Sequence, residues 1–185
     1  MKKILTMMFV FVLLFSIGTM AQGLDLIGGL TFNTFDGTID YADGTQDEMR
    51  DDLTSGTGFY VGGRFWFSDN LALGGGYDKT GSEDQLVEFS IAGPYAEMVF
   101  RANEYIHFKG GLAFYNWEVK EKIFYTSQKE TGLGFLFGAC LTYPLQESIA
   151  LSGGVDYRLL TIEDEYNDKI NFSGFRINGG IALLF

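Results

Sequence analysis

Ten ionisable side chains carry whatever chemistry this sequence can do: Asp25, Arg64, Asp78, Glu88, Glu97, His107, Lys109, Asp156, Arg158 and Arg176. Most recur in step with glycine, alanine or serine, while the alternate positions hold Leu, Ile, Val, Phe and Tyr. Acid–base catalysis would need a histidine or carboxylate beside a nucleophile. His107 is the only histidine, and "IHFKG" has no serine two residues on, so a hydrogen-bonded interior histidine is expected. The other nine are of both signs, with Arg64, Lys109, Arg158 and Arg176 against Asp25, Asp78, Glu88, Glu97 and Asp156. An isolated buried charge is very costly and a paired one is tolerable, so mutual ion pairing inside the protein is expected. The alternative is an ion path along the same ladder.

A second group is acidic. Asp36, Asp40, Asp43, Asp47, Glu48, Asp51 and Asp52 cluster against Arg50. "DYADGTQDE" places oxygen ligands near a Gly turn, but not at EF-hand spacing, so no metal or other cofactor is assigned. A solvated acidic loop facing an extracellular ligand is expected. Weak divalent-cation binding is the alternative.

The elements that must position these residues have a period of two. In the terminal "RINGGIALLF", Ile177, Ile181, Leu183 and Phe185 share one parity, which is the alternation of a strand. Three short polar breaks, "SDN" at 68–70, "ANE" at 102–104 and "QES" at 146–148, precede nearly the same phrase: "LALGGGY", "IHFKGGLAFY" and "IALSGGVDY". "LDLIGGLTF" from Leu24 is a fourth version. The intervals differ, so the pattern is one of hairpins and not of a solenoid. Eight strands result, joined by short turns at one end and long polar loops at the other.

Sorting by parity leaves one face almost wholly apolar, with Leu26, Leu30, Phe59, Val61, Leu112, Phe114, Phe135, Phe137, Leu151 and Val155 on it. Such a face lies in hydrocarbon, or it lines the cavity of a soluble lipocalin-like barrel turned inside out. The uneven ends, the Gly- and Ala-rich charged face and the export signal described below favour the membrane arrangement. In the fourth strand Val87, Phe89, Ile91 and Tyr95 keep the apolar phase. Pro94 then predicts a bulge that switches parity and turns Glu97 inward. Aromatic residues gather where the two interfaces are expected, Phe65, Trp66, Phe67, Phe100, Tyr105, Tyr143 and Phe185 at the turn end and Phe32, Tyr77, Tyr115, Trp117, Tyr157 and Phe175 at the loop end.

Composition agrees with an exported β protein. "MKK", the apolar run "ILTMMFVFVLLF" and the small residues before Ala21 read as a signal peptide over 1–21, leaving 22–185 as one domain. A formal charge of −11 argues against nucleic acid as a partner. The single cysteine, Cys140, rules out an internal disulfide.

With these strands, loops and terminal residues, the chain resembles the small eight-stranded outer-membrane barrels, the family of the OmpA transmembrane domain, OmpX and OmpW. The resemblance implies an all-β, antiparallel up-and-down transmembrane barrel in a bacterial outer membrane, surrounded by lipid and lipopolysaccharide. It also implies that the alternating Ile177, Ile181, Leu183 and Phe185 are the signal read by the barrel-assembly machinery. Some such barrels modify lipid A with a His and a Ser at the membrane face; His107 lacks that serine, so no enzyme is expected. A structural or surface-interaction role follows, with a narrow channel for ions or small apolar molecules as the alternative.

Overall fold

Strands that alternate large apolar with small or charged residues can bury both faces only if the sheet closes on itself. The computed structural model describes residues 23–48, 54–83, 87–121, 126–163 and 168–185. The proposed signal peptide lies outside them, as do Asp51 and Asp52. Along the chain run β1 (Gly23–Thr34), β2 (Thr38–Asp40), β3 (Gln46–Glu48), β4 (Ser55–Trp66), β5 (Leu71–Glu83) and β6 (Val87–Arg101). β7 (Ile106–Glu121), β8 (Thr126–Gln146), β9 (Ile149–Glu163), β10 (Lys169–Asn171) and β11 (Gly174–Leu184) complete it. Neighbouring long strands pair antiparallel in chain order, and β11 pairs with both β9 and β1. The eight long strands therefore form a closed barrel with no lateral edge. Closure is what hydrocarbon demands, because an unpaired backbone group there costs several kcal/mol.

The short polar breaks are the tight turns. Asn103 Oδ1 accepts hydrogen bonds from the backbone N–H of Tyr105 (2.9 Å) and Ile106 (2.8 Å), and Ser68 Oγ accepts from that of Leu71 (3.0 Å). Such side chains substitute for backbone partners and so favour turns. At the opposite end β2 pairs with β3 and with β10, and β10 pairs with β9. The first and last long loops are thus strapped together. Gly44, at φ 87°, closes the β2–β3 hairpin in a conformation that L side chains rarely adopt.

The repeated Gly-Gly phrase falls into register across strands: Gly29 faces Gly180, Gly62 faces Gly76, Gly63 faces Gly75 and Gly153 faces Gly179. Directly opposed residues share a face, and Gly29, Gly180, Gly62 and Gly76 point inward and make room. A Cβ on Gly62 would stand 2.5 Å from Tyr95 Oη and 2.7 Å from the Gly75 carbonyl oxygen. Gly63, Gly75, Gly153 and Gly179 share the parity of the exposed apolar residues and point outward.

Strand β6 departs from expectation. Its register against β5 is continuous from Glu83 opposite Glu88 to Leu71 opposite Phe100, and against β7 it is the same on both sides of Pro94. There is no bulge at Pro94; the register shift accompanies Pro144, at the β8–β9 turn. Phe89, Ile91 and Tyr95 are consequently buried inside with Glu97, while Met98 and Phe100 face out. Pro94 is tolerated because its face of the ladder skips one step without adding a residue. Trp66, Tyr115 and Trp117 also differ from expectation: they are buried in the lumen instead of standing at the membrane interfaces.

Candidate functional site

The lumen is where the charged parity converges, and it is filled in layers. At the turn end Trp66 Nε1 donates to Asp25 Oδ2 (2.6 Å), and the Arg101 guanidinium lies 3.8 Å above the Trp66 ring. His107 packs edge-on against the same ring at 5.5 Å. Just above, Arg64 Nε donates to Glu97 Oε1 at 2.8 Å. The two side chains are on β4 and β6, with β5 between them, and the residue between them is Gly74. A Cβ there would press on both, 3.0 Å from Arg64 Cγ and 3.2 Å from Glu97 Cγ.

The middle layer is organised by two aspartates. Asp156 Oδ2 accepts from Arg176 Nε (2.9 Å) and Nη2 (2.6 Å) and from Asn178 Nδ2 (3.0 Å). Lys109 Nζ is 2.9 Å from Asp156 Oδ1. It reaches there because Gly138, on the strand between β7 and β9, has no side chain to block it. Asp78, across the lumen on β5, accepts from Arg176 Nη1 and from the Tyr115 hydroxyl (3.0 Å). Arg158 Nη2 lies 3.5 Å from the same carboxylate. Arg158 also donates to Asn33 Oδ1 (3.3 Å) and stacks 4.4 Å over the Tyr115 ring. Asn33 in turn donates to Thr80 Oγ1 at 2.7 Å. These groups are nearly all buried, and Asp78, Asp156 and Arg158 are among the most completely enclosed.

Above this layer the lumen becomes apolar. Phe35 from the first loop and Ile170 and Phe172 from the last pack among wall residues that include Phe89, Trp117, Leu160 and Ile162. Phe172 stacks on Phe89 at 5.4 Å, meets Phe35 edge-on at 5.9 Å and lies tilted against Trp117 at 5.9 Å. Sequence alternation missed this plug because its residues share the strand parity of the charges. It also missed Asn33, Thr80, Asn178 and Arg101. The inward glycines between charged partners were the available signal: Gly74 and Gly138 mark which pairs can meet across an intervening strand.

Two of the singled-out residues have no part in a hydrogen-bonded interior layer of charge. Glu88 is not inside: without a bulge its parity in β6 is outward, where it lies 3.4 Å from Lys120 Nζ, half exposed. His107 is inside but almost isolated. Its Nδ1 is 3.5 Å from Thr142 Oγ1, its Nε2 has no partner among the described residues, and its cross-strand neighbour is Cys140.

The acidic loop is partly ordered by its own side chains. Thr45 donates to Asp43 through its hydroxyl (2.6 Å) and its backbone N–H (2.9 Å), which holds that carboxyl below the usual range. Asp168 Oδ1 accepts from the Ala42 N–H at 2.9 Å, joining the last loop to the first. Among the described residues no three of His, Cys, Asp and Glu converge as metal ligands.

Several solved structures share this architecture. Ail of Yersinia pestis, crystallised with the heparin analogue sucrose octasulfate, has a TM-score of 0.58 and 20% identity, over 88% of this chain and 98% of that one. OprG of Pseudomonas aeruginosa has a TM-score of 0.57 and 14% identity, over 89% and 96%. Neisserial surface protein A has a TM-score of 0.53 and 12% identity, over 87% and 96%. At these identities the likeness is one of fold. No curated protein matches in sequence. Residues 7–181 match the family described as outer membrane protein beta-barrel domain.

Proposed function

Because the chain belongs to the outer membrane protein beta-barrel domain family, we propose that it is a closed, non-conducting barrel of the outer membrane that presents an acidic surface to a basic partner outside. The filled lumen carries this reading. A solute entering from the turn end meets the Arg64–Glu97 pair and then the Asp156–Arg176–Asp78 bridge, and one entering from the loops meets the aromatic plug. An eight-stranded interior is only just wide enough for such side chains to fill it.

The sign of the outer surface supports the second half. Asp36, Asp40, Asp43, Asp47, Glu48 and Asp168 stand at the loop end with Lys169 as the neighbouring cation. Ail is crystallised with a polyanion; the surface here is suited to the opposite charge. The test is one preparation assayed twice. Refolded barrels in liposomes are expected to pass no small solute, and to bind an oligolysine probe whose affinity falls with added salt, while sucrose octasulfate does not bind. Steady solute flux would overturn the closed reading, and oligolysine binding no better than that of the sulfated probe would overturn the acidic one.

His107 has no catalytic role in this reading, because its ring is enclosed between Trp66 and the wall and offers no open face to a substrate. The assembly role of the last strand belongs to the same reading. Ile177, Ile181, Leu183 and Phe185 all face outward, and Phe185 exchanges backbone hydrogen bonds with Leu24, N–H to carbonyl in both directions (2.9 and 3.1 Å). Phe185→Ser is expected to lower the yield of heat-modifiable barrel in cells severalfold while leaving refolding of the purified chain intact. Equal loss in both settings would assign Phe185 to stability instead.

A further inference from the structure

Among the described residues, one cation on the outer wall above the apolar belt has no charged partner. Lys79 lies on β5 two residues beyond Tyr77, flanked by Phe59 of β4 and Ala92 of β6, with its side chain exposed. Two other described lysines of the wall are paired: Lys120 Nζ lies 3.4 Å from Glu88 and Lys129 Nζ 3.0 Å from Glu118. Lys79 has no hydrogen bond or ion pair among the described residues. It borders a depression of about 590 Å³ whose outer rim is formed by Phe32, Phe59, Thr57 and Ser90. Gly81 and Ser90 make the depression by being small. Two carboxylates also touch it, Glu83 and Glu88, the latter bound to Lys120.

Its height on the wall identifies what it meets. Below it the outward residues of the three strands are apolar, with Val61, Leu73 and Pro94; above it they are Ser55, Glu83 and Glu88. The depression therefore straddles the border of hydrocarbon and headgroups on the loop side, where aromatic and basic residues anchor to lipid.

We propose that this depression binds the phosphorylated headgroup of an outer-leaflet lipid. The Lys79 ammonium pairs with the phosphate, the Thr57 and Ser90 hydroxyls donate to its oxygens, and Phe32 and Phe59 lie against the start of the acyl chains. The inference rests on the outer-membrane placement and is independent of the closed lumen.

The experiment refolds the barrel into phosphatidylcholine vesicles doped with bisphosphorylated lipid A, extracts it in mild detergent, and counts retained lipid A per barrel by mass spectrometry. Parallel samples carry dephosphorylated lipid A, or bisphosphorylated lipid A with excess inorganic phosphate. Lys79→Gln is expected to retain roughly fivefold less lipid A than the parent, Lys79→Arg to retain it, and Lys129→Gln to be unchanged. Ser90→Tyr, which fills the depression and leaves the charge, is expected to lose retention as well, and it decides the matter if Lys79→Gln does not give a heat-modifiable barrel. Full retention by Lys79→Gln or Ser90→Tyr, equal retention of dephosphorylated lipid A, or complete displacement by inorganic phosphate would each overturn the headgroup site. Folded barrel with no lipid A retained would overturn it too, while leaving the membrane placement standing.

Discussion

Asp156→Ala is expected to destabilise the folded barrel by roughly 3 to 5 kcal/mol, the range for removing one partner of a buried ion pair. The carboxylate serves Arg176 twice, Asn178 once and Lys109 through its other oxygen. Arg176 keeps Asp78, but Lys109 has no second ion-pair partner among the described residues and would be left as an uncompensated charge. Asp156→Asn keeps the shape and one acceptor, so it is expected to cost less than the alanine. Urea unfolding in phospholipid vesicles, followed by tryptophan fluorescence, measures both. A loss below about 1 kcal/mol for the alanine variant would mean that the layer is solvated and the pairs are worth no more than surface ones.

Phe172→Ala is expected to cost a similar amount, about 3 to 5 kcal/mol, for a different reason. The ring is completely buried and touches three other aromatic rings, so its removal loses the transfer term and leaves a cavity that the strand-bound walls cannot collapse to fill. Because Phe172 belongs to the loop strap, the loss is expected to appear first as faster amide exchange in β2 and β10, with the long strands still protected. The same variant separates the two seals of the lumen. Ion current across a planar bilayer is expected to stay at background in Phe172→Ala, since the Asp78–Arg176–Asp156 bridge remains below the plug. Current in that variant alone would make the aromatic cluster the barrier and leave the charges as lining.

Part of this molecule is written locally. In β1, β4, β5 and β9 one parity is mostly large and apolar and the other mostly small or charged, and a strand with two unlike faces can be oriented without knowing its neighbours. The outer belt, the short turns at Ser68 and Asn103 and the inward direction of Arg64, Asp78, Asp156 and Arg176 follow from that contrast. β6 has no such contrast. Phe89, Ile91 and Tyr95 on one parity and Met98 and Phe100 on the other are equally suited to lipid or to a core, so its phase is set by hydrogen-bond register to β5 and β7. That register sent Phe89 inward, put Glu88 on the outer wall and made a bulge at Pro94 unnecessary.

What the sequence by itself determined is an alternating chain of eight strands with one lipid-compatible face and an interior of mixed charge. Only the tertiary structure decided which charges meet, that Gly74 and Gly138 let them meet across a strand, and that the outer half of the lumen is apolar. Alternation reports a residue's side of the sheet and nothing about its height, and it is the stagger of strands around a closed barrel that brings residues from distant strands to one level.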